Sequence, residues 1–488
     1  MPAKTAMTVG RKTETMTMEE RSGGSGSGVS SSARAVAKKG QKQEIRVAVL
    51  IPKDMELLED KIGFATSGGA ISIALERIQR EQLLTDATWK FYVSNTKCHE
   101  STAAGEVIRL IEEEDVNVLL GPPCSVTATV AAAIAKYYNR PIFSWAAGAV
   151  SLADAVRYNT LVRVMSSSLR LGRALREMLQ YFNWRRFAFM YTDDKSARKC
   201  FSISEGLRKA IAKVNVVNVL NHAIDRASPT DEEIEKFLEA VPPVARIVII
   251  CMEHEDDNRR VMLRAQQLGM TNNEYVYIIP DYVRDQNRSE LWLQYTGAAQ
   301  QDTRDVEAKE AFRGMMMLEG KLTSNDELHY FKKQVVEAIK GYPFFYESKS
   351  SSNTHNEQYG SLYSPFLHDS MYLYGLALNK TMTAGGDITK GSFIMNSTRN
   401  VQFLGQSGHV IIDETGGREP NFVIKGFDKN MKLIALADAL MYKPDGENIN
   451  LLVPERIIWE VRGDFVPTDT PRCGFLGEKC APSDNTGK

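Results

Sequence analysis

The 488-residue sequence has no long apolar run. None of its stretches approaches the roughly 18 to 20 consecutive apolar residues that are needed to cross a bilayer. The first 40 residues also lack the apolar region of a secretory signal, because charged side chains between Lys4 and Arg21 interrupt every candidate. We therefore expect neither a membrane span nor an export signal in the sequence as given.

An excess of charge of one sign is also missing. The chain carries 60 Lys and Arg against 61 Asp and Glu, a formal net charge of -1. Such a balance gives no general attraction to nucleic acid or to anionic lipid, so no nucleic-acid partner is expected.

Motifs of catalysis and metal binding are absent as well. The seven histidines never pair at i, i+4, and neither HExxH nor CxxC occurs. The first strand is followed by Pro52-Lys53-Asp54-Met55 instead of a Gly-rich dinucleotide loop. The sequence thus predicts no catalytic residue, no metal site and no cofactor.

Cysteines are few, but their grouping is informative. Consecutive members are 26, 51 and 7 residues apart within three local pairs, which are Cys98 and Cys124, Cys200 and Cys251, and Cys473 and Cys480. An even number with local pairing favours three disulfides in an oxidising compartment. Six free thiols in a cytosolic protein are an equally open alternative on composition alone.

Residues 1–43 are rich in Ser, Gly, Lys and Thr, and we expect them to be disordered because they hold too little apolar area to offset the entropy of ordering. From Ile45 onward, short apolar runs alternate with amphipathic helical segments, which is typical of parallel sheets covered on both faces. The runs are 45–51, 89–93, 116–120 and 141–143, and then 187–191, 214–220, 247–251 and 275–279. This spacing fits βαβ units and predicts an α/β fold of two doubly wound parallel-sheet lobes.

After Asp281 come a polar helical stretch, an apolar helix over 364–379 and a β-rich tail. The tail is expected to return and complete both lobes, so that several crossovers form a hinge. Two such lobes describe the type I periplasmic-binding-protein fold, which holds ligands in the cleft at the strand carboxyl ends. We assign 44–466 to this region, with lobe 1 at about 44–165 and 283–395 and lobe 2 at about 166–282 and 396–466.

Residues just after strand ends are the cleft candidates. They are Lys53, Thr96, Ser125, Trp145, Thr192, Asp193, Asp281 and Tyr282, with Pro52, Asn95, Ser144 and Ala146 beside them. Trp145 is the strongest of these, because a partly exposed indole at a strand end is costly without a partner. Each residue could equally be a helix cap or a turn residue.

Several segments resemble one receptor family. Asn95-Thr96-Lys97-Cys98 with Gly121-Pro122-Pro123-Cys124 resembles the first disulfide module of the atrial natriuretic factor receptor family. The segments 368–379 and 403–413 look like its later helix and β segment. Pro471-Arg472-Cys473-Gly474-Phe475 with Cys480 resembles the juxtamembrane Cys loop of receptor guanylate cyclases, so 467–488 is assigned to this loop and tail. The likeness is nearest to the nematode members.

The resemblance implies an extracellular ligand-binding domain of a receptor guanylate cyclase-like protein. It implies the bridges Cys98–Cys124, Cys200–Cys251 and Cys473–Cys480, a homodimer, and a peptide or small-molecule ligand sensed by rearrangement of lobes or dimer. No catalytic domain of the family is recognisable in this sequence. Attachment to the outer face of the plasma membrane would depend on segments that the sequence does not contain, and we hypothesise that a signal peptide replaces the first 43 residues in the true product.

Two further features bear on the resemblance. Relatives bind chloride through backbone N–H groups of a Gly-Pro-Gly-Cys loop, and Pro123 has no N–H to donate, so chloride binding is not expected. Three glycosylation acceptors, Asn287, Asn379 and Asn396, fit an extracellular surface but also arise often by chance.

Two rival functions remain open. A soluble carrier of amino acids or similar small molecules, or a ligand trap, would use the same two-lobed fold. A cytosolic doubly wound enzyme would keep all six thiols free.

Overall fold

In the computed structural model, the described residues are 43–195, 198–284, 290–294, 303–347, 359–440 and 448–480. Of the segment 1–43, which the sequence predicts to be disordered, only Gln43 lies within them. The glycosylation acceptor Asn287 and the tail beyond Cys480 lie outside them.

Fifteen strands form two large sheets and one hairpin within the described residues. They are β1 Gln43–Ile51, β2 Ala87–Asn95, β3 Val118–Leu120, β4 Ile142–Ser144, β5 Leu161–Arg163, β6 Arg186–Thr192, β7 Val217–Ile224, β8 Ile247–Cys251, β9 Val276–Pro280, β10 Met316–Gly320, β11 Gln402–Gly405, β12 Gly408–Ile411, β13 Asn421–Phe427, β14 Leu433–Leu440 and β15 Ile449–Leu451.

Fourteen α-helices connect and cover these strands over the same part of the chain. They are α1 Glu56–Ile62, α2 Phe64–Ser67, α3 Gly69–Arg80, α4 Glu100–Glu112, α5 Ser125–Tyr137, α6 Ser168–Tyr181, α7 Lys199–Ile211, α8 Asp231–Ala240, α9 Glu255–Gln267, α10 Asp305–Phe312, α11 Asn325–Ala338, α12 Ser364–Thr383, α13 Gly391–Thr398 and α14 Glu455–Glu460.

The first sheet has the order β2-β1-β3-β4-β5 and is parallel throughout. Its central strands are almost wholly buried, as the unbroken apolar run from Val47 to Ile51 predicts for a sheet covered on both faces. Helices α3 and α12 cover one face, and α4 and α5 pair on the other side. This is the predicted first doubly wound lobe.

The second sheet has the order β15-β14-β13-β10-β9-β8-β6-β7. Strands β6 to β10 are parallel, whereas β13, β14 and β15 join antiparallel at one side. The β-rich tail therefore completes the second lobe, and the predicted α/β fold of two lobes is confirmed.

Two predicted boundaries differ from the structure. Strand β10 and helix α10 belong to the second lobe, although the sequence places 283–395 in the first. The run Met315-Met316-Met317-Leu318 has no β-branched residue, so its strand was missed. The hairpin β11–β12 lies against α12 of the first lobe, so this lobe extends past residue 395.

The chain crosses between the lobes three times, at 164–167, 321–324 and 412–420. Two backbone hydrogen bonds tie the first and third crossings together: Arg163 N–H donates to Gly416 O (2.8 Å) and Arg418 N–H donates to Arg163 O (3.0 Å). Lys321 N–H donates to Asn421 O (2.9 Å) and ties the second crossing to the third. The three crossings form one hydrogen-bonded hinge.

Candidate ligand-binding cleft

The carboxyl ends of β6, β8 and β9 carry a cluster of charged residues in the second lobe. Lys199, the first residue of α7, places its Nζ 2.9 Å from Asp281 Oδ2, just after β9. Glu253 follows β8, and its Oε1 accepts a hydrogen bond from the Cys200 N–H (3.0 Å). Parallel strands direct their carboxyl ends to the same edge of a sheet, which is why these residues meet. We call Lys199, Glu253 and Asp281 the charged cluster.

The pKa values in the charged cluster are set by burial and by mutual attraction. Burial by itself would lower the pKa of Lys199, but the negative charges of Asp281 and Glu253 outweigh it, so the pKa is raised and the ammonium stays charged. Burial raises the pKa of Glu253 despite the opposing effect of Lys199. The charges are thus held in a poorly solvated place, where each interacts more strongly than at an open surface.

The first lobe contributes residues that face this cluster. Tyr363, which precedes α12, is close enough for the charges of Asp281, Lys199 and Glu253 to act on its hydroxyl, whose pKa burial raises. The positive charge of Lys61, in α1, acts on the Glu253 carboxylate and opposes the rise in its pKa. Side chains from both lobes therefore meet at one place, as a ligand cleft requires.

Lys53 lies at another part of the first lobe's edge. Its N–H donates to Asn95 Oδ1 (3.1 Å), and its ammonium lies 4.9 Å from the ring centroid of Tyr346 and 5.9 Å from that of Phe64. These cation–π contacts hold a charge at the end of β1, where the sequence predicts a cleft residue.

Tyr282 packs from the second lobe against the first. A Cβ built on Gly148 would lie 3.0 Å from the Tyr282 hydroxyl, so glycine leaves the room for this approach. The side chain is 5% exposed, its hydroxyl makes no hydrogen bond of normal geometry among the described residues, and the Ser168 side chain lies close enough to act on it. Among the predicted cleft residues, Asp281 belongs to the charged cluster and Tyr282 follows it directly in the chain.

Three predicted cleft residues are buried in the structure. Trp145 is wholly buried, so the expectation of a partly exposed indole is wrong: its ring lies in the core beneath Gly121. Thr96 is also wholly buried. The buried hydroxyl of Thr192 accepts a hydrogen bond from the Glu253 N–H (2.9 Å) and fixes the backbone of that residue.

The two remaining candidates have local partners. Ser125, at the start of α5, accepts a hydrogen bond on its hydroxyl from the Ala149 N–H (3.2 Å). Asp193 is paired with Arg198 (2.9 Å) and Lys195 (3.3 Å). Burial alone would raise the pKa of Asp193, but these two cations outweigh it and the pKa is lowered.

Sequence reasoning missed Lys199, Glu253 and Tyr363. A signal for two of them was present, since Lys199 directly precedes Cys200 and Glu253 lies two residues after Cys251. A disulfide that ties a helix start to a strand end brings its neighbours together at the edge where ligands bind. No comparable signal marks Tyr363.

The three disulfides implied by the resemblance are present, with Cα–Cα distances of 5.7 Å for Cys98–Cys124, 5.5 Å for Cys200–Cys251 and 4.9 Å for Cys473–Cys480. The six free thiols of the alternative do not occur. Cys98 and Cys124 follow strands β2 and β3, which lie on either side of β1 in the first sheet.

The predicted surface sites lie as follows. Asn396 is exposed on α13. Asn379 is half-buried on α12, and Thr381, the third residue of its glycosylation triplet, is buried. In the loop relevant to chloride, the Gly121 N–H donates to Phe143 O (2.7 Å), and Pro122 and Pro123 have no N–H. Over the described ranges, no group of three or more His, Cys, Asp or Glu side chains could hold a metal ion.

A second anchored region lies at the opposite end of the second lobe. The Trp184 indole N–H donates to Pro467 O (2.9 Å), and Asp469 Oδ2 accepts from the backbone N–H of Arg185 (2.6 Å). The guanidinium groups of Arg186 and Arg246 lie 5.2 and 5.4 Å from the ring centroid of Phe475, inside the Cys473–Cys480 loop. We call residues 467–480 the C-terminal strap.

Two hinged α/β lobes with charged groups meeting at the strand carboxyl ends define a ligand-binding domain of the periplasmic-binding-protein type. The family model described as the receptor family ligand binding region, of the ANF receptor type, matches residues 66–430, and the chain belongs to this family.

Curated relatives are receptor-type guanylate cyclases of Caenorhabditis elegans. The chain is 28% identical to gcy-7 over 90% of its own length and 40% of that protein. For gcy-13 the values are 29%, 87% and 42%, and for gcy-14 they are 26%, 90% and 40%. The chain thus spans about two-fifths of the length of these relatives. Within the part of the chain that the structure describes, no helix is both long and apolar enough to cross a bilayer.

Proposed function

We propose that this chain is the extracellular ligand-sensing region of a receptor guanylate cyclase-like protein and that it binds a small ligand in the cleft between its lobes. The observation that carries the proposal is the charged cluster, which is largely buried and lies near Tyr363 and Lys61 of the other lobe. Buried charges are costly unless something pairs with them, and they persist where they serve recognition. In the relatives, cyclase activity would belong to regions that this chain does not span.

The signal would be a change in lobe angle that ligand binding favours. A ligand that contacts Tyr363 on one side and the charged cluster on the other binds the closed state more tightly than the open one. The hinge would guide this motion, because Arg170, at the start of α6 in the second lobe, forms ion pairs with both Asp413 and Glu419 of the third crossing.

The output would pass through the C-terminal strap. Because Phe475 and Asp469 hold the strap to the second lobe, a rotation of that lobe would move the strap with it. In the juxtamembrane position that the resemblance implies, this movement, within a homodimer, would reach the membrane. A peptide ligand at the dimer interface would act on the same strap without using the charged cluster.

Thermal unfolding with a ligand panel tests the proposal, since a ligand that binds only the folded state raises Tm. The panel comprises amino acids, amines, organic acids and short peptides, and the expected result is a shift by a small compound. The Lys199→Met and Tyr363→Ala variants, one from each lobe, should each lose the shift, whereas Lys213→Met, an exposed lysine beyond the end of α7, should retain it.

A shift that both cleft variants retain would place the ligand elsewhere, and the absence of any shift would contradict binding of these classes. Sedimentation velocity of the same samples distinguishes the alternative function, a soluble carrier of small molecules. A soluble carrier would remain monomeric with and without ligand.

A further inference from the structure

The charged cluster holds one cation and two carboxylates, and Lys61 of the other lobe is a second cation whose charge acts on Glu253. The Lys199 Nζ forms an ion pair with Asp281 Oδ2 at 2.9 Å. Glu253 forms no ion pair within 4 Å among the described residues. Glu253 is 6% exposed. Its Oε1 accepts from the Cys200 N–H, which accounts for one of its two oxygens. The cleft therefore contains one buried carboxylate whose charge has no direct cationic partner.

Glu253 lies at the carboxyl end of β8, near charged groups of both lobes. The charges that act on it come from Lys199 in its own lobe and from Lys61 in the other, and Tyr363 of the first lobe is in turn influenced by Glu253. Because β8 ends at the edge of the sheet that the first lobe adjoins, the Glu253 charge lies where a ligand between the lobes would bind.

The surrounding structure fixes Glu253 in position. Its N–H donates to Thr192 Oγ1 (2.9 Å), and the Cys200–Cys251 disulfide joins the end of β8 to the start of α7, two residues from Glu253 and next to Lys199. A side chain held by its backbone, a disulfide and a helix N–H is pre-organised, so little entropy is lost when a ligand pairs with it.

A second polar group lies in the same region. The Tyr282 hydroxyl, on a side chain that is 95% buried, makes no hydrogen bond of normal geometry among the described residues, and the Ser168 side chain and the charges of Asp281 and Lys199 act on it. A small ligand with its own donors and acceptors could satisfy both this hydroxyl and the free carboxylate oxygen.

We propose that the cleft recognises a small organic cation with N–H donors, a primary ammonium, that pairs with Glu253. This inference rests on the proposed function and names its ligand class. An anionic ligand is disfavoured, because Lys199 is already neutralised by Asp281 and lies beside Glu253. A bare metal ion is disfavoured, because the described residues bring no three ligating side chains together.

The test compares amines with matched alcohols in thermal unfolding. Tyramine is paired with tyrosol and putrescine with 1,4-butanediol, and a panel of further primary amines is treated in the same way. The expected result is that at least one amine raises Tm by about 2 °C or more at saturation while its alcohol does not. This contrast uses the wild-type chain and does not depend on the folding of a variant.

Glu253→Gln identifies the residue, because the amide keeps the shape of the side chain and an acceptor for the Cys200 N–H while it removes the charge. The amine shift should disappear in this variant and persist in Glu232→Gln, an exposed glutamate in the first turn of α8. The N-trimethylated form of the active amine keeps the charge but has no N–H. It should need at least a tenfold higher concentration to give the same shift in Tm.

Three results would overturn the inference: no amine shifts Tm, the amine and its alcohol act equally, or Glu253→Gln leaves the shift intact. If organic acids or neutral compounds shift Tm and lose the effect in Tyr363→Ala, the proposed cleft function stands and only the ammonium class is wrong. If no compound of any class shifts Tm, both are contradicted.

Discussion

The carboxylate of Asp369, wholly buried in α12, accepts a hydrogen bond from the Ser407 hydroxyl (2.5 Å) and another from the Ser407 N–H (2.9 Å). The Gln406 N–H donates to the other carboxylate oxygen (2.8 Å). Arg418 donates to the Ser407 hydroxyl (2.5 Å) and to His409 O (2.9 Å), which continues the network into the third crossing. The β11–β12 turn thus connects the long helix of the first lobe to the hinge.

Asp369→Asn should lower the free energy of unfolding by about 3 kcal/mol or more, because it replaces a buried acceptor with an amide that faces N–H donors and leaves the buried Arg418 without its counter-charge. Urea unfolding followed by circular dichroism measures the change. Asp86→Asn, at an exposed position before β2, is the control and should change stability by less than about 0.5 kcal/mol. Equal effects of the two would show that the network contributes nothing.

The Asp369 carboxylate also makes the free energy of unfolding depend on pH in the acid range. Burial alone would raise the pKa of Asp369, but the hydrogen bonds from His368 and Ser407 and the charge of Arg418 outweigh it, and the pKa is lowered. A lowered folded pKa contributes stability that is present above the unfolded value of about 3.9 and is lost as pH falls toward the folded value. The stability difference between wild type and Asp369→Asn should therefore be constant from about pH 5 to 7 and shrink below about pH 4, and a constant difference down to pH 2 would contradict the assignment.

The stability contribution of the Glu253 charge should depend on pH with the opposite sign to that of Asp369. Burial raises its folded pKa, so the charged form costs stability at neutral pH and protonation restores it as pH falls through the folded pKa. The unliganded Glu253→Gln variant should be at least as stable as wild type at pH 7, and wild type should gain relative to it as pH falls toward about 4. Urea unfolding across this range measures the gain, and a variant less stable than wild type at pH 7 would mean that the charge is compensated within the protein.

Removal of the Cys200–Cys251 bridge by paired alanine substitution should cost about 4 kcal/mol from the entropy of a loop of this length. The Cys473–Cys480 bridge closes a loop of only 7 residues, and its removal should cost about 2 kcal/mol. Urea unfolding of the two double variants gives both values. The reverse order would show that loop length does not govern these bridges.

Phe475→Ala should loosen the C-terminal strap, because both guanidinium groups that stack on the ring lose their partner. Amide hydrogen exchange across 467–480 should become roughly tenfold faster while exchange in β6 is unchanged. Phe345→Ala, whose ring is 70% exposed in the first lobe, serves as the control and should leave the strap unaltered. Unchanged exchange in Phe475→Ala would mean that the strap is held by Trp184 and Asp469 alone.

The sequence by itself determined the two sheets and the strand ends at which a ligand cleft is proposed. The apolar run 247–251 matches β8 residue for residue, since a short continuous run rich in Ile and Val is typical of a strand buried in a covered sheet. The cysteine grouping favoured three local bridges, and the strand ends predicted Asp281 and Tyr282 as cleft residues.

Only the tertiary structure decided which of those strand-end residues face the cleft and which lie inside. Trp145 and Thr96 follow strands just as Asp281 does, yet the packing of the first lobe buries both, because the direction of a side chain after a strand depends on the turn and not on its sequence position. Lys199 and Glu253 are 54 residues apart in the chain and meet through the adjoining Cys200–Cys251 bridge and the Thr192 hydroxyl. Apart from the neighbouring cysteines, long-range contacts of this kind have no local signature, so the charges of the cleft became visible only in three dimensions.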